Sequence, residues 1–240
     1  MNRYGAALCI FLGIFSGISA EASDMIPLEG GLSVPAAGSL QVWNADQSYI
    51  GMKAQEFLGH SDTAERAAHM AVARGWAAEG SQEEFTQIMK RILETGRFSQ
   101  IRMMEKGTVY QAEAVRFSIR YDDLKKLNSM ETANRPQWEK ILQGNADGSD
   151  LYDGKKKIFS IQQMIPWTEE KSNQGISYKR FLLRGYVFSH GMTFPVQLLV
   201  YRFSGPDEFY FLAVVSDETA GKHMTKLLDQ SVSGAGRSLP

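Results

Sequence analysis

Apolar and polar residues alternate along several stretches of this chain, a pattern typical of strands with one buried face. In the run Val109–Tyr121, Phe117 and Ile119 share one side of such a strand, and Arg116 and Ser118 share the other. Five more stretches are predicted to be strands: Leu40–Trp43, Lys157–Ile165, Ile176–Ser189, Thr193–Phe203 and Glu208–Ser216. Short turn signals separate the last four, so neighbouring strands should run antiparallel.

A second pattern, with apolar residues three and four positions apart, predicts helices. Ser81 and Glu84 have the spacing of a capping box, and the helix that follows them ends at Gly96. Another helix spans Glu218–Val232, after which a Gly-Ala-Gly step leads into a loose tail of the last ~6 residues. Three weaker helical stretches cover 63–76, 122–128 and 136–143, and the Gly- and Asp-rich stretch 143–154 is predicted to be a loop.

Together these elements predict an α+β fold in which an antiparallel sheet packs against amphipathic helices. A sheet with one apolar face must cover that face, and the two strongest helices carry the apolar stripes to do so. Neither an internal repeat nor a long linker divides the chain. We therefore predict a single compact domain covering residues 23–240.

The first 22 residues have the three parts of a secretory signal: a cation at Arg3, an apolar run over Ala6–Ile18, and the small-residue step Ala20-Glu21-Ala22. The apolar run is about thirteen residues, shorter than the roughly 20 that a membrane-spanning helix needs. We predict cleavage after Ala20 or Ala22, export to the periplasm or cell envelope, and no permanent membrane span; retention of the segment as an anchor is the alternative.

Charge and cysteine content exclude some classes of function. Lys and Arg number 26 and Asp and Glu 27 among 240 residues, a net charge of −1, so the basic excess of a nucleic-acid-binding protein is absent. The single cysteine, Cys9, lies inside the apolar run of the leader. The mature chain is therefore predicted to have no disulfide, no cysteine nucleophile and no cysteine-ligated metal.

The last third of the sequence resembles the closing part of Mog1/PsbP-like domains. The segments that carry the resemblance are Tyr178–Phe181, Gly185–Val187, Phe194–Phe203, Phe209–Ala213 and the helix ending in Leu227–Val232. The resemblance implies an α/β sandwich that finishes with antiparallel strands and a C-terminal helix. It also implies a non-catalytic role, because that superfamily contains many binding and assembly factors and few enzymes.

The densest set of side chains capable of catalysis is His60, Asp62, Glu65 and His69. Glu65 and His69 are four residues apart and would share a helical face, so one alternative is a hydrolase or metal-dependent enzyme centred here. We favour a capped helix with a solvated charged face. Serine-nucleophile and phosphate-loop motifs are absent from the sequence, and we predict no metal and no cofactor.

Aromatic and basic residues crowd the last four predicted strands. Because alternation supplies only one face to a core, the outward rings have two interpretations. We favour a second core under the N-terminal segment and the other helices; the alternative is a ligand groove or a partner surface, where Tyr, Trp and Arg are enriched. The candidate binding residues are Tyr178, Arg180, Arg184, Tyr186, Tyr201 and Arg202. The leading hypothesis is an exported binding or accessory protein that contacts an envelope protein or a small-molecule ligand.

Overall fold

The computed structural model describes residues 21–44, 80–129, 150–153, 156–189 and 191–237. Twelve strands are described: β1 Glu21–Ser23, β2 Met25–Pro27, β3 Leu32–Pro35, β4 Leu40–Asn44, β5 Arg97–Glu105, β6 Thr108–Arg120, β7 Asp150–Asp153, β8 Lys156–Lys171, β9 Ser177–Ser189, β10 Met192–Ser204, β11 Glu208–Asp217 and β12 Gly236–Arg237. The helices are α1 Gln82–Thr95, α2 Tyr121–Ser129 and α3 Glu218–Ser233, with a 3-10 turn at Glu29–Gly31.

Nine strands form one antiparallel sheet in the order β1-β4-β5-β6-β11-β10-β9-β8-β7. The strands from β8 to β11 follow each other through short hairpins, so chain order and spatial order agree in this part of the sheet. Gly191, with φ +76°, lies in the turn between β9 and β10, where a positive φ favours glycine. A separate three-stranded sheet has the order β12-β3-β2.

One face of the large sheet, here called the helix face, packs against α3 and the small sheet. Helix α3 contacts β6, β11 and β10, and Asp217 caps its start by accepting a hydrogen bond from the Ala220 N–H. Arg116 of β6 is buried and donates to the Pro27 carbonyl of β2, which ties the two sheets together. The core of this face includes Ile26, Val34, Ile101, Leu199, Tyr201, Phe203, Leu212, Met224 and Leu228.

The opposite face of the sheet has a smaller cluster of buried apolar side chains on β8, β9 and β10. Its members are Phe159, Ile161, Met164, Phe181, Val187 and Val196. Trp167 of β8 packs against this cluster, with its ring 5.3 Å from the ring of Phe181. The sheet therefore buries apolar side chains on both faces, which is why aromatic residues are common on consecutive positions of its strands.

Most of the predicted elements of the described chain are confirmed, including α1, α2, α3, β4, β6 and the four strands β8 to β11. The α+β expectation is met only in part, because strands dominate the described residues and the fold is mainly antiparallel β. The predicted helices at 63–76 and 136–143 lie outside the described residues.

Three expectations need correction. Strand β5 was not predicted, because its buried positions include Ser99 and Gln100, which hide the alternation. The predicted loop at 143–154 contains β7, which pairs with β8. The tail is not loose at 235–237, because Ala235 is buried and Gly236–Arg237 pair with β3.

Candidate functional site

A row of hydrogen-bonded polar side chains crosses the helix face beside α3; we call it the polar strip. Arg184 of β9 donates from Nε to the Gln197 amide oxygen at 2.8 Å and from Nη1 to the Gln163 amide oxygen at 2.9 Å. Gln197 donates to the Thr225 hydroxyl of α3 at 2.8 Å, and Thr225 donates to the Gly221 carbonyl at 2.6 Å. The strip therefore joins strands β8, β9 and β10 to the helix.

A second polar cluster lies four residues along β9 from Arg184, on the same face. Arg180 donates to both carboxylate oxygens of Asp229, from Nε at 2.7 Å and from Nη2 at 3.2 Å. Tyr201, which is 0% exposed, donates to the same carboxylate at 2.7 Å. Burial lowers the pKa of Arg180, but the hydrogen bonds and charge of Asp229 outweigh it, so that pKa is raised. This cluster anchors α3 to the sheet.

The hydroxyl of Tyr178 is also occupied, since it donates to Glu170 at 2.8 Å. Burial raises the pKa of Tyr178, and the neighbouring carboxylate of Glu170 raises it further. Tyr186 is half-buried and lies opposite Ser160 in the register of β8 and β9. Because Arg184 and Tyr186 are two residues apart on one strand, they share the helix face.

Five of the six candidate binding residues lie on the helix face, and Arg202 lies on the opposite face. Arg202 follows Tyr201 directly in β10, and consecutive residues of a strand point to opposite sides of the sheet. The six side chains therefore do not form one surface. On the helix face, Tyr178 and Tyr201 are buried and Arg180 is neutralised by Asp229, which leaves Arg184 and Tyr186 as the residues best placed for a ligand.

Arg184 differs from Arg180 in the groups that hold it. Both of its hydrogen-bond partners are neutral amides, and the described chain provides no carboxylate within ion-pair distance of it. A guanidinium has five N–H donors, so three remain after these two bonds. Arg184 is therefore a fixed arginine whose charge no carboxylate of the described residues compensates.

Sequence reasoning missed Gln163, Gln197, Thr225 and Asp229, the partners that hold the arginines in place. Gln197 carried a recognisable signal. It is 2% exposed and occupies an inward position of β10, where the pattern of the strand otherwise places apolar residues. A polar residue at such a position needs a buried partner, so its presence indicates a polar network.

A half-buried carboxyl group, Glu113 of β6, has no hydrogen-bond partner at Oε2 among the residues that the structure describes. Its cross-strand neighbours are Gln100 of β5 and Val215 of β11, and burial raises the pKa of Glu113 to about 7. Arg102, two residues after Gln100 in β5, has its guanidinium carbon 4.9 Å from the ring centre of Trp43. Glu113 is therefore a group that changes charge near neutral pH.

The alternative enzyme site is not part of the described chain, because His60, Asp62, Glu65 and His69 all lie outside it. Within the described ranges, no group of three or more His, Cys, Asp and Glu side chains is arranged to hold a metal ion. Among those same residues, no helix is both long and apolar enough to cross a bilayer.

Comparison with known proteins gives structural neighbours only. No family model matches the sequence, and no curated protein matches it. The chain is similar to a protein of unknown function, PA94, from Pseudomonas aeruginosa, with 10% identity, a TM-score of 0.33, and coverage of 60% of this chain and 82% of that one. It is also similar to the cyanobacterial PsbP (CyanoP) of Synechocystis sp. PCC 6803, with 12% identity, a TM-score of 0.32, and coverage of 60% and 87%. A PsbP is thus among its neighbours, as the pattern of the last third indicated.

Proposed function

We propose that this chain is an exported, non-catalytic binding or accessory protein of the periplasm or cell envelope, and that it holds an anionic group of its ligand or partner at Arg184. The observation that carries the proposal is the pair of neutral amide oxygens, from Gln163 and Gln197, that fix the guanidinium without neutralising it. A guanidinium in this state can donate hydrogen bonds to an incoming anion and attract it electrostatically.

Preorganisation supports binding at this position. A free arginine side chain loses rotamer freedom when it binds an anion, and that loss weakens affinity. In this fold the side chain loses its rotamer freedom before a ligand binds, because two hydrogen bonds to residues of different strands hold the guanidinium in one place. The partners are in turn held: Gln197 is buried and bonded to Thr225 of α3. The strip is a rigid platform for recognition.

Tyr186 supplies an aromatic surface beside the charge. It is half-buried and lies two positions after Arg184 in β9, a spacing of about 7 Å along the strand. An anionic ligand with an apolar body would contact both residues. The binding hypothesis rests on these two residues, whereas the enzyme alternative rests on His60, Asp62, Glu65 and His69, which lie outside the described residues.

Export is proposed from the leader, and the position of β1 favours cleavage after Ala20. Glu21, Ala22 and Ser23 pair with β4, so cleavage after Ala20 keeps this strand whole, whereas cleavage after Ala22 removes two of its three residues. We expect mass spectrometry of the protein recovered from the envelope fraction to show a mature chain beginning at Glu21. A chain that retains Met1 would contradict cleavage, and one that begins at Ser23 would contradict the choice of Ala20.

The Arg184 proposal is tested by the effect of inorganic phosphate on the thermal unfolding of the full chain and of Arg184→Gln. At a phosphate concentration about five times its Kd, we expect specific binding to stabilise the native chain by about 1 kcal/mol. Phosphate also stabilises proteins by exclusion from their surfaces, so the quantity of interest is the difference between wild type and variant.

The matched control is Lys171→Gln, which makes the same change of charge at an exposed position of β8. We expect it to keep the full phosphate effect, and Arg184→Gln to lose the specific part. Arg184→Lys keeps the charge but cannot keep both amide contacts in one plane, so we expect it to lose most of the effect too. An equal phosphate response in all four proteins would refute the site.

A further inference from the structure

A second arginine, Arg202 of β10, lies on the opposite face of the sheet among aromatic rings. Its guanidinium carbon is 4.3 Å from the ring centre of Phe209 on β11 and 5.5 Å from that of Trp167 on β8. Both distances are within the range of cation–π attraction. In the sheet, β11 and β8 lie on the two sides of the β10–β9 pair, so the two rings lie on opposite sides of the arginine.

No residue of the described chain accepts a hydrogen bond from Arg202. Its Nε is buried without a hydrogen-bond partner, whereas the two terminal nitrogens are not buried. No carboxylate of the described chain lies within ion-pair distance of them. Burial lowers the pKa of Arg202, although the guanidinium remains charged in water at any ordinary pH. An acceptor that approaches the two terminal nitrogens would therefore form hydrogen bonds that the described chain does not supply.

The charged neighbours of Arg202 are on the next two strands of the same face. Lys179 of β9 is its cross-strand partner, and Glu169 of β8 is in turn the partner of Lys179. The Lys179 Nζ and the Glu169 carboxylate are 3.9 Å apart. The negative charge of Glu169 therefore offsets the positive charge of Lys179 more than that of Arg202. The same negative charge repels any anion that approaches Arg202.

We propose that Arg202 binds the carboxylate of an aromatic organic acid or of an acidic peptide side chain. A carboxylate is planar and pairs with the edge of a guanidinium through two parallel hydrogen bonds. The rings of Phe209 and Trp167 favour an apolar body attached to that carboxylate. The same rings disfavour a phosphate dianion, whose desolvation costs more than that of a carboxylate.

This site is independent of the proposed phosphate response at Arg184, because the two arginines lie on opposite faces of the sheet. The probe is sodium benzoate, a carboxylate on an aromatic ring, and its matched control is benzamide, which has the same shape without the charge. The readout is the arginine Nε–H region of a proton–nitrogen NMR spectrum of the full chain, with the Arg202 signal identified by its absence in Arg202→Lys.

We expect the Arg202 Nε–H signal to shift with benzoate and to saturate with a Kd of about 1–10 mM, as for a single charge-assisted contact. Benzamide should leave it unmoved. Arg202→Lys, followed through the Trp167 indole signal, should weaken benzoate binding about tenfold, because an ammonium cannot form the bidentate pair. Glu169→Gln should strengthen binding about twofold by removing an opposing charge.

Glu169→Gln, followed through the Trp167 indole signal, keeps the test decisive if Arg202→Lys does not fold, since a gain in affinity supports the site and an unchanged affinity overturns it. An Arg202 signal that ignores benzoate, or that responds equally to benzamide, also overturns the proposal. A hexaglutamate peptide distinguishes the source of the carboxylate: binding tighter than that of benzoate indicates an acidic peptide, and weaker binding indicates a free organic acid.

Discussion

Asp229→Ala is expected to lower the free energy of unfolding by about 3 kcal/mol, because it leaves one buried and one half-buried donor without their shared acceptor. Arg180 loses both of its bonds to the carboxylate, and the hydroxyl of Tyr201 loses its partner in the core. The Asp229 side chain is 36% exposed, so water replaces part of what is lost and keeps the effect below that of a fully buried pair.

Chemical denaturation of the full chain measures this effect, and Lys222→Gln is the control on the same helix. Lys222 pairs with Glu218 one turn earlier at 2.6 Å, and the lysine is exposed, so its loss should cost only about 0.5 kcal/mol. In a Tyr201→Phe background, Asp229→Ala should cost less than in wild type, because one stranded donor has been removed. An effect no larger than that of Lys222→Gln would show that the cluster does not anchor α3.

The wild-type protein is expected to lose stability as the pH rises from 4.5 to 8, and Glu113→Gln is expected to abolish the part of this loss that comes from Glu113. The pKa of Glu113 is raised from 4.5 in the unfolded chain to about 7 in the fold. Between these values the folded state holds a proton that the unfolded state has released, so its stabilising contribution is complete below 4.5 and disappears as the pH passes 7. After a discount for the partial exposure of the group, the loss is about 2 kcal/mol.

The measurement is the free energy of unfolding of both proteins at pH 4.5 and pH 8. Glutamine is neutral at both values and has nearly the same shape, so we expect the variant to match wild type at pH 4.5 and to exceed it at pH 8. Glu83→Gln, at an exposed position of α1, is the control and should leave the wild-type difference unchanged. A wild-type advantage at pH 8 would mean that the Glu113 carboxylate has a partner.

The β-rich last third was predictable because local rules determine it. Strands β8 to β11 alternate over ten or more residues and are joined by short turns, so sequence neighbours are also spatial neighbours. Strand β12 was not predictable, because it has only two residues and exists through its pairing with β3, about two hundred positions earlier in the chain. Its backbone hydrogen bonds depend on tertiary structure alone.

The candidate site was predictable in part, because alternation determines which face of a strand a residue occupies but not which distant residue it contacts. Alternation places Arg180, Arg184 and Tyr186 on one face of β9, and the structure does so. The same rule puts Tyr201 and Arg202 on opposite faces, so grouping them as one surface was inconsistent with the strand itself. What alternation does not reveal is that a carboxylate of α3 neutralises Arg180 while two amides hold Arg184, since those partners come from distant segments.

The central claim, that Arg184 holds an anion in its fixed position, is tested most directly by following its own Nε–H signal in a proton–nitrogen NMR spectrum during titration with inorganic phosphate. We predict a saturable shift of that signal, with the Arg180 signal unmoved because its partner is Asp229. The backbone signal of Tyr186 should move with it. The claim would be contradicted if the signals of Arg184 and Tyr186 did not shift up to a phosphate concentration at which the signals of all surface cations shift.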